Sequence, residues 1–110
     1  MSKDTRRFMR LLVFFDLPTV TKADKKAYVQ FRRFLIQDGY DMIQWSMYGR
    51  IVNGFDSMGT HFKRLTLSLP PSGSVRSLWM TEKQFASMKL LVGLPTIQEK
   101  RVDVQQLVLL

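Results

Sequence analysis

Residues 8–18 read Phe8-Met9-Arg10-Leu11-Leu12-Val13-Phe14-Phe15-Asp16-Leu17-Pro18, and the placement of this stretch decides the fold. Phe8 to Phe15 is apolar and aromatic with no helical spacing. A strand covered on one side alternates, so an unbroken run of this kind reads as a central strand buried on both faces. Asp16-Leu17-Pro18 ends it, because proline has no N–H to continue a ladder. Asp16 is therefore the residue at which the chain leaves the core.

Beyond the proline, Thr21 and Asp24 have the spacing of a helix N-cap and its third residue, and they predict a helix from Lys22. Ala27, Tyr28, Phe31, Phe34 and Leu35 form one apolar stripe, and Gly39 supplies a residue able to turn left-handed after the last turn. At about 100° per residue, Lys25, Lys26, Arg32 and Arg33 share the opposite face. Residues 42–52 alternate and predict a half-buried strand, with Ile43, Trp45, Met47 and Ile51 on one face and Gln44, Ser46, Tyr48 and Arg50 on the other. Gly49 marks a bulge, bend or hairpin dividing it. Asn53-Gly54 is a turn. Phe55, Met58, Phe62, Leu65 and Leu69 predict a second helix over about 55–69, ended by Pro70-Pro71, with Lys63 and Arg64 beside its stripe. A loop at Ser72-Gly73, a strand from Val75 to Met80, one capped turn from Thr81 to Phe85 and a short strand from Ser87 to Val92 follow. Val102 to Leu110 is β-prone. This order is that of an α+β sandwich with two helices on one face of an antiparallel sheet. The last strand either covers the domain's own edge or joins the sheet of a second copy. The second option is favoured, so a homodimer is expected.

The chain has 110 residues, enough for one compact core. With no cysteine, disulfide scaffolds, zinc ribbons and thiol nucleophiles are excluded, and the single histidine, His61, excludes multi-histidine metal sites. The longest apolar run, Leu11 to Phe15, is too short to cross a bilayer, no secretory signal pattern precedes it, and a cytoplasmic location is the simplest expectation. Seventeen Lys and Arg against nine Asp and Glu give a net charge of +8. Residues 1–33 carry +6 of it and residues 59–90 carry +4, offset by −2 over residues 34–58. The bland reading of such charge is a solvated surface; the clustering on one helix face favours a polyanion.

Any hydrolytic chemistry must fall to carboxylates. Asp16 either caps the following loop through an Asx-type bond or binds Mg²⁺ (Mn²⁺ being the alternative), a hard cation that takes one or two carboxylates beside water and phosphate. A two-fold axis bringing Asp16 of two chains together would supply the second carboxylate. Ser46 is a candidate to help hold water or metal, although a plain surface hydroxyl is the simpler reading. Trp45 and Trp79 are expected to pack in the core rather than to stack on bases, and His61 is assigned no role.

The ordered set Arg10-Leu-Leu-Val-Phe-Phe-Asp16-Leu-Pro18, Tyr28-x-x-Phe31-Arg-Arg-Phe34-Leu35 ending in Gly39-Tyr40, Ile43-Gln44-Trp45-Ser46-Met47-Tyr48 and Thr81-Glu82-Lys83-Gln84-Phe85 resembles the family of CRISPR-associated protein two, in the short form found beside type II effectors. The resemblance covers roughly residues 8–94. It implies a ferredoxin-like domain over residues 1–94 and a segment over 95–110 whose strand crosses to the partner in a homodimer. It also implies a metal site at the strand-end Asp16 of each protomer, and a role in spacer acquisition in which the dimer bridges two dimers of the CRISPR integrase subunit and holds double-stranded protospacer DNA. On that reading Lys22, Lys25, Lys26, Arg32 and Arg33, supported by Lys63 and Arg64, contact phosphates without reading sequence. The alternative is a Mg²⁺-dependent endonuclease acting on RNA or DNA through paired Asp16, with an activity that spacer acquisition does not require.

Overall fold

The structure, a computed structural model, describes residues 8–93. Strand β1 (Phe8–Asp16) is followed by helix α1 (Lys22–Gln37), strands β2 (Asp41–Gln44) and β3 (Met47–Asn53), helix α2 (Phe55–Leu67), strand β4 (Ser74–Thr81) and a short helix α3 (Glu82–Ala86). The four strands form one antiparallel sheet in the order β2-β3-β1-β4. With α1 and α2 as the two crossovers, this is the ferredoxin-like arrangement the sequence leads one to expect. The segment Val102 to Leu110, with its expected partner-crossing strand, lies outside the described residues. Among the described residues, no helix is long and apolar enough to cross a membrane.

The double-sided burial of β1 is what organises the layers. Its odd-numbered side chains Met9, Leu11, Val13 and Phe15 enter a core with Phe31 and Leu35 of α1, Met58 and Leu65 of α2, and Tyr48 and Val52 of β3. On the other side Leu12 packs with Ile43, Met47 and Phe85, and Phe14 and Met80 lie against them. Arg10 points to this second side and is completely buried. Its guanidinium forms an ion pair with Glu82 at the start of α3 and lies 4.4 Å from the centroid of the Phe85 ring. Thus α3 is held where it closes over the guanidinium, because a buried cation needs a counter-charge.

The local signals for the helices are realised. Thr21 accepts from the Asp24 N–H while the Asp24 carboxylate accepts from the Thr21 N–H, which starts α1 at Lys22. Thr81 and Gln84 make the same reciprocal pair at α3. Gly39 follows α1 with φ +90°, the conformation its place after the helix requires.

Three expectations are corrected. The long strand over 42–52 is divided at Trp45-Ser46 rather than at Gly49, which pairs with Leu12 inside β3. Ser46 takes φ +63° to make the turn, and its carbonyl accepts from the Phe15 N–H at 3.0 Å. The alternation consequently restarts after the turn. Tyr48 and Val52 are buried, Ile51 is exposed, and Trp45, expected in the core, stands 75% exposed at the tip. Trp79, also expected in the core, is exposed as well and belongs to neither buried cluster; it stands edge-on to Phe62 with 6.0 Å between ring centroids. Residues 87–92, expected as a strand, form none: no described strand pairs with them, and Leu91 and Val92 are exposed.

Removing the counter-charge of Arg10 should be costly. Glu82→Ala leaves a buried unpaired guanidinium and is expected to lower unfolding stability by about 3 kcal/mol, whereas Arg10→Met with Glu82→Leu should recover most of that loss. Urea unfolding midpoints of the two variants check this, and equal losses would contradict it.

Candidate nucleic-acid interface and carboxylate cavity

Asp16 ends β1 opposite Ser74, the first residue of β4. Its side chain is exposed and lines a cavity of about 290 Å³ together with Gln44, Trp45, Ser46, Ser74 and Arg76. Two loops bring those residues to the acid. The Trp45-Ser46 turn is tied to β1 through the Phe15 N–H. On the other side the chain before β4 passes close over Asp16: a Cβ at Gly73, where φ is +92°, would stand 2.7 Å from the Asp16 carbonyl oxygen and 2.8 Å from Leu17 Cδ2. Only glycine allows this approach, and it brings Ser74, the next residue, to the cavity.

The donors around Asp16 are hard oxygens: one carboxylate, the hydroxyls of Ser46 and Ser74, and the Gln44 amide. That chemistry fits a magnesium ion that keeps most of its water, and it does not fit a soft metal. Among the described residues no group of three His, Cys, Asp or Glu side chains is close enough to hold an ion. Among the described residues Asp16 is the one carboxylate that lines the cavity. Arg76, in the same cavity, adds a cation suited to a phosphate oxygen.

The helix cations expected from the sequence lie where the periodicity puts them. Lys22, Lys25, Lys26 and Arg33 are exposed on α1, and Lys63 is exposed on α2. Among the described residues no carboxylate forms an ion pair with any of them. Arg32 and Arg64 differ. Arg32 donates from Nε to the Tyr48 hydroxyl at 2.8 Å, which anchors α1 to β3. Arg64 pairs with Asp38 at 2.5 Å and lies 3.0 Å from His61 Nδ1. Both remain exposed, but each also serves the fold.

Around Asp38 a charged cluster joins the end of α1 to β3 and α2. Arg50 donates to the Asp38 backbone carbonyl and lies 4.0 Å from its carboxylate. His61 Nδ1 stands 3.8 Å from the same carboxylate. Burial, then Arg50 and Arg64, hold the His61 pKa below its ordinary 6.5, against the opposing pull of Asp38. Burial and the Asp38 charge push the Tyr40 hydroxyl up to about 12, opposed by Arg50 and Arg64.

Sequence reasoning missed Arg76, Ser74 and Gln44 as neighbours of Asp16. Their convergence depends on strand register and on where the hairpin turns, neither of which leaves a local signature. Arg10 did carry a signal, since a charge within a strand buried on both faces demands a partner.

A family model described as CRISPR associated protein Cas2 matches residues 9–88. The chain is similar to a protein named CRISPR-associated endoribonuclease Cas2 from Acidovorax ebreus, 65% identical over 101 residues that cover 92% of this chain and 99% of that one. Proteins of the same name from Ligilactobacillus salivarius and Flavobacterium psychrophilum are 40% and 38% identical over 102 and 99 residues. These alignments cover 93% and 90% of this chain, and 100% and 86% of those relatives.

Gly73→Ala is expected to cost about 1–3 kcal/mol, as a strained left-handed residue whose methyl group meets backbone. A urea midpoint equal to that of the wild type would show that the loop yields freely. Because the His61 pKa is depressed in the folded state, the unfolded chain takes up the proton first. Its contribution to stability is present above pH 6.5 and is lost as pH falls below that value towards the folded pKa. Stability of the wild type should therefore fall on acidification through this range, and more steeply than that of His61→Gln, in urea titrations at stepped pH.

Proposed function

The chain belongs to the Cas2 family of CRISPR-associated proteins, and from that premise we propose that it is a homodimeric, sequence-non-specific DNA-binding subunit of spacer acquisition, bridging integrase dimers in the cytoplasm. The observation that carries the DNA-binding part is the row of exposed cations on α1, Lys22, Lys25, Lys26 and Arg33, free of carboxylate partners among the described residues. An ordinary solvated helix face tends to interleave both signs. A face of one sign favours phosphates and releases counterions when it meets them. Arg32 extends the α1 surface, Lys63 is a further exposed cation on α2, and Arg64 adds one partly committed to Asp38. Family membership supports the integrase partnership.

Contacts of this kind position a duplex and read no bases, which suits a subunit that must accept any sequence. With about 4–6 phosphate contacts per protomer, log K should fall against log salt with a slope of roughly −0.9 per contact.

A second reading, a Mg²⁺-dependent endonuclease, is favoured by the Asp16 cavity and by the endoribonuclease in the relatives' names. Asp16 would hold the ion, with Ser46, Ser74 and Gln44 binding its water. A bound Mg²⁺ would polarise a phosphodiester and acidify water. The single carboxylate lining the cavity among the described residues supports completion of such a site by Asp16 of a second copy, since one carboxylate alone binds a divalent cation weakly. Arg76 would orient the substrate phosphate.

Lys25→Ala with Lys26→Ala should reduce the magnitude of the salt slope by about 0.9 for each phosphate no longer neutralised, and weaken duplex binding without changing the urea midpoint. An unchanged slope would remove α1 from the interface. For the nuclease reading, cleavage of RNA or DNA should vanish both in Asp16→Ala and with a chelator. Cleavage by Asp16→Ala at the wild-type rate would end that reading.

A further inference from the structure

The least economical residue on this surface is Trp45. It stands at the hairpin tip, 75% exposed, where an indole in water forgoes the burial that usually accounts for tryptophan. It is not loose. One ring face lies against Tyr28, with centroids 6.4 Å apart and planes 27° from parallel. Tyr28 meets Phe15 edge-on, and Phe15 stacks on Tyr48 and meets Phe31 edge-on within the core. The neighbouring Ser46 carbonyl is bonded to β1. The indole is thus the outermost plate of an aromatic column that reaches the centre of the domain.

Arginines stand on both sides of it. On one side Trp45 lines a groove of about 640 Å³ with Tyr28, Arg32 and Arg33. On the other it lines the cavity that holds Asp16 and Arg76. A ring with a free face between two arginine-bearing hollows has the chemistry of a base-stacking platform, with phosphates on either side held by the guanidiniums. Inside a duplex every base has both faces covered, so apart from the terminal pair a duplex would have to unstack a base to use such a platform. A single strand can use it at no cost in base pairing.

We propose that Trp45 is a binding residue for an unpaired nucleotide, stacking its base while Arg33 and Arg76 hold the flanking phosphates, so that a single strand runs from the α1 groove into the Asp16 cavity. This deepens the reading of the chain as a nucleic-acid-binding subunit, and rests on it, by giving it a single-stranded ligand distinct from the duplex on α1. The platform recognises a π-face, which every base possesses, so it imposes no sequence. DNA and RNA differ here only in the sugar.

The test uses the full chain carrying Trp79→Phe, which leaves Trp45 as its one tryptophan, and three probes: oligo-dT, oligo-U and a duplex of equal length. Single strands should quench Trp45 emission, and the duplex should not. In the chain with Trp79 intact, Trp45→Ala should weaken single-strand binding by roughly 5- to 100-fold, Trp45→Phe should retain most of it, and duplex affinity should stay within about 2-fold. Tighter binding of one of the two oligomers identifies the sugar. Single-strand affinity unaffected by Trp45→Ala, or equal quenching by duplex and single strand, overturns the platform. If duplex binding persists in that case, the DNA-binding reading survives; if the wild type binds neither duplex nor single strand, both fall.

Discussion

The constraint on which this domain depends is that β1 must be covered on both faces and paired along both edges. Its apolar side chains alternate without a polar interval, so neither face tolerates water. The larger crossovers roof one face, and on the other α3 packs over side chains that β1 shares with β2 and β3. The one polar member of the buried section of β1, Arg10, strengthens the constraint. A guanidinium at zero exposure fixes where Glu82 must be, and with it the turn of helix that follows β4. The hydrophobic layers could slide by small amounts. A buried ion pair under an aromatic ring cannot do so without losing its compensation.

Chemistry is then placed by the point at which this strand stops. Leu17-Pro18 ends the ladder, and Asp16 is the first side chain past the buried section. The exposed cations belong to α1, whose inner stripe is consumed by the core, so its outer face is available for charge. Acid and cations are separate consequences of one buried strand, the first at its end and the second on the back of the helix that covers it. Trp45 stands between them because the β2–β3 turn is hydrogen-bonded to the last residues of β1.

Much of this was legible in the sequence because its causes are local. The β1 run, the Thr21–Asp24 and Thr81–Gln84 caps, the stripe of α1 and the exit at Asp16 each depend on residues within a few positions of one another. The β2–β3 hairpin was misplaced for the opposite reason. Gly49 looked like the break, yet the turn was made by Ser46, a residue with no strong preference for positive φ, because the register with β1 required it there. That displacement moved Trp45 from an expected core position to the surface and Tyr48 in the other direction. The Ser87–Val92 segment has the composition of a strand, but propensity alone does not dock a segment on a sheet edge, and no described strand pairs with it. The residues around Asp16 come from β2, β4 and the turn between β2 and β3, and only register brings them together.

The support of Asp16 has a mechanical meaning. The strand end is held from within by its own ladder, on one side by the Ser46 carbonyl and on the other by the backbone approach at Gly73. Three supports that are not collinear make a kinematic mount: they define position and tilt together, and none can be relaxed without rotating the load about the other two. A displacement of the β2–β3 turn or of the loop before β4 therefore acts on the same strand end, from which the carboxylate projects.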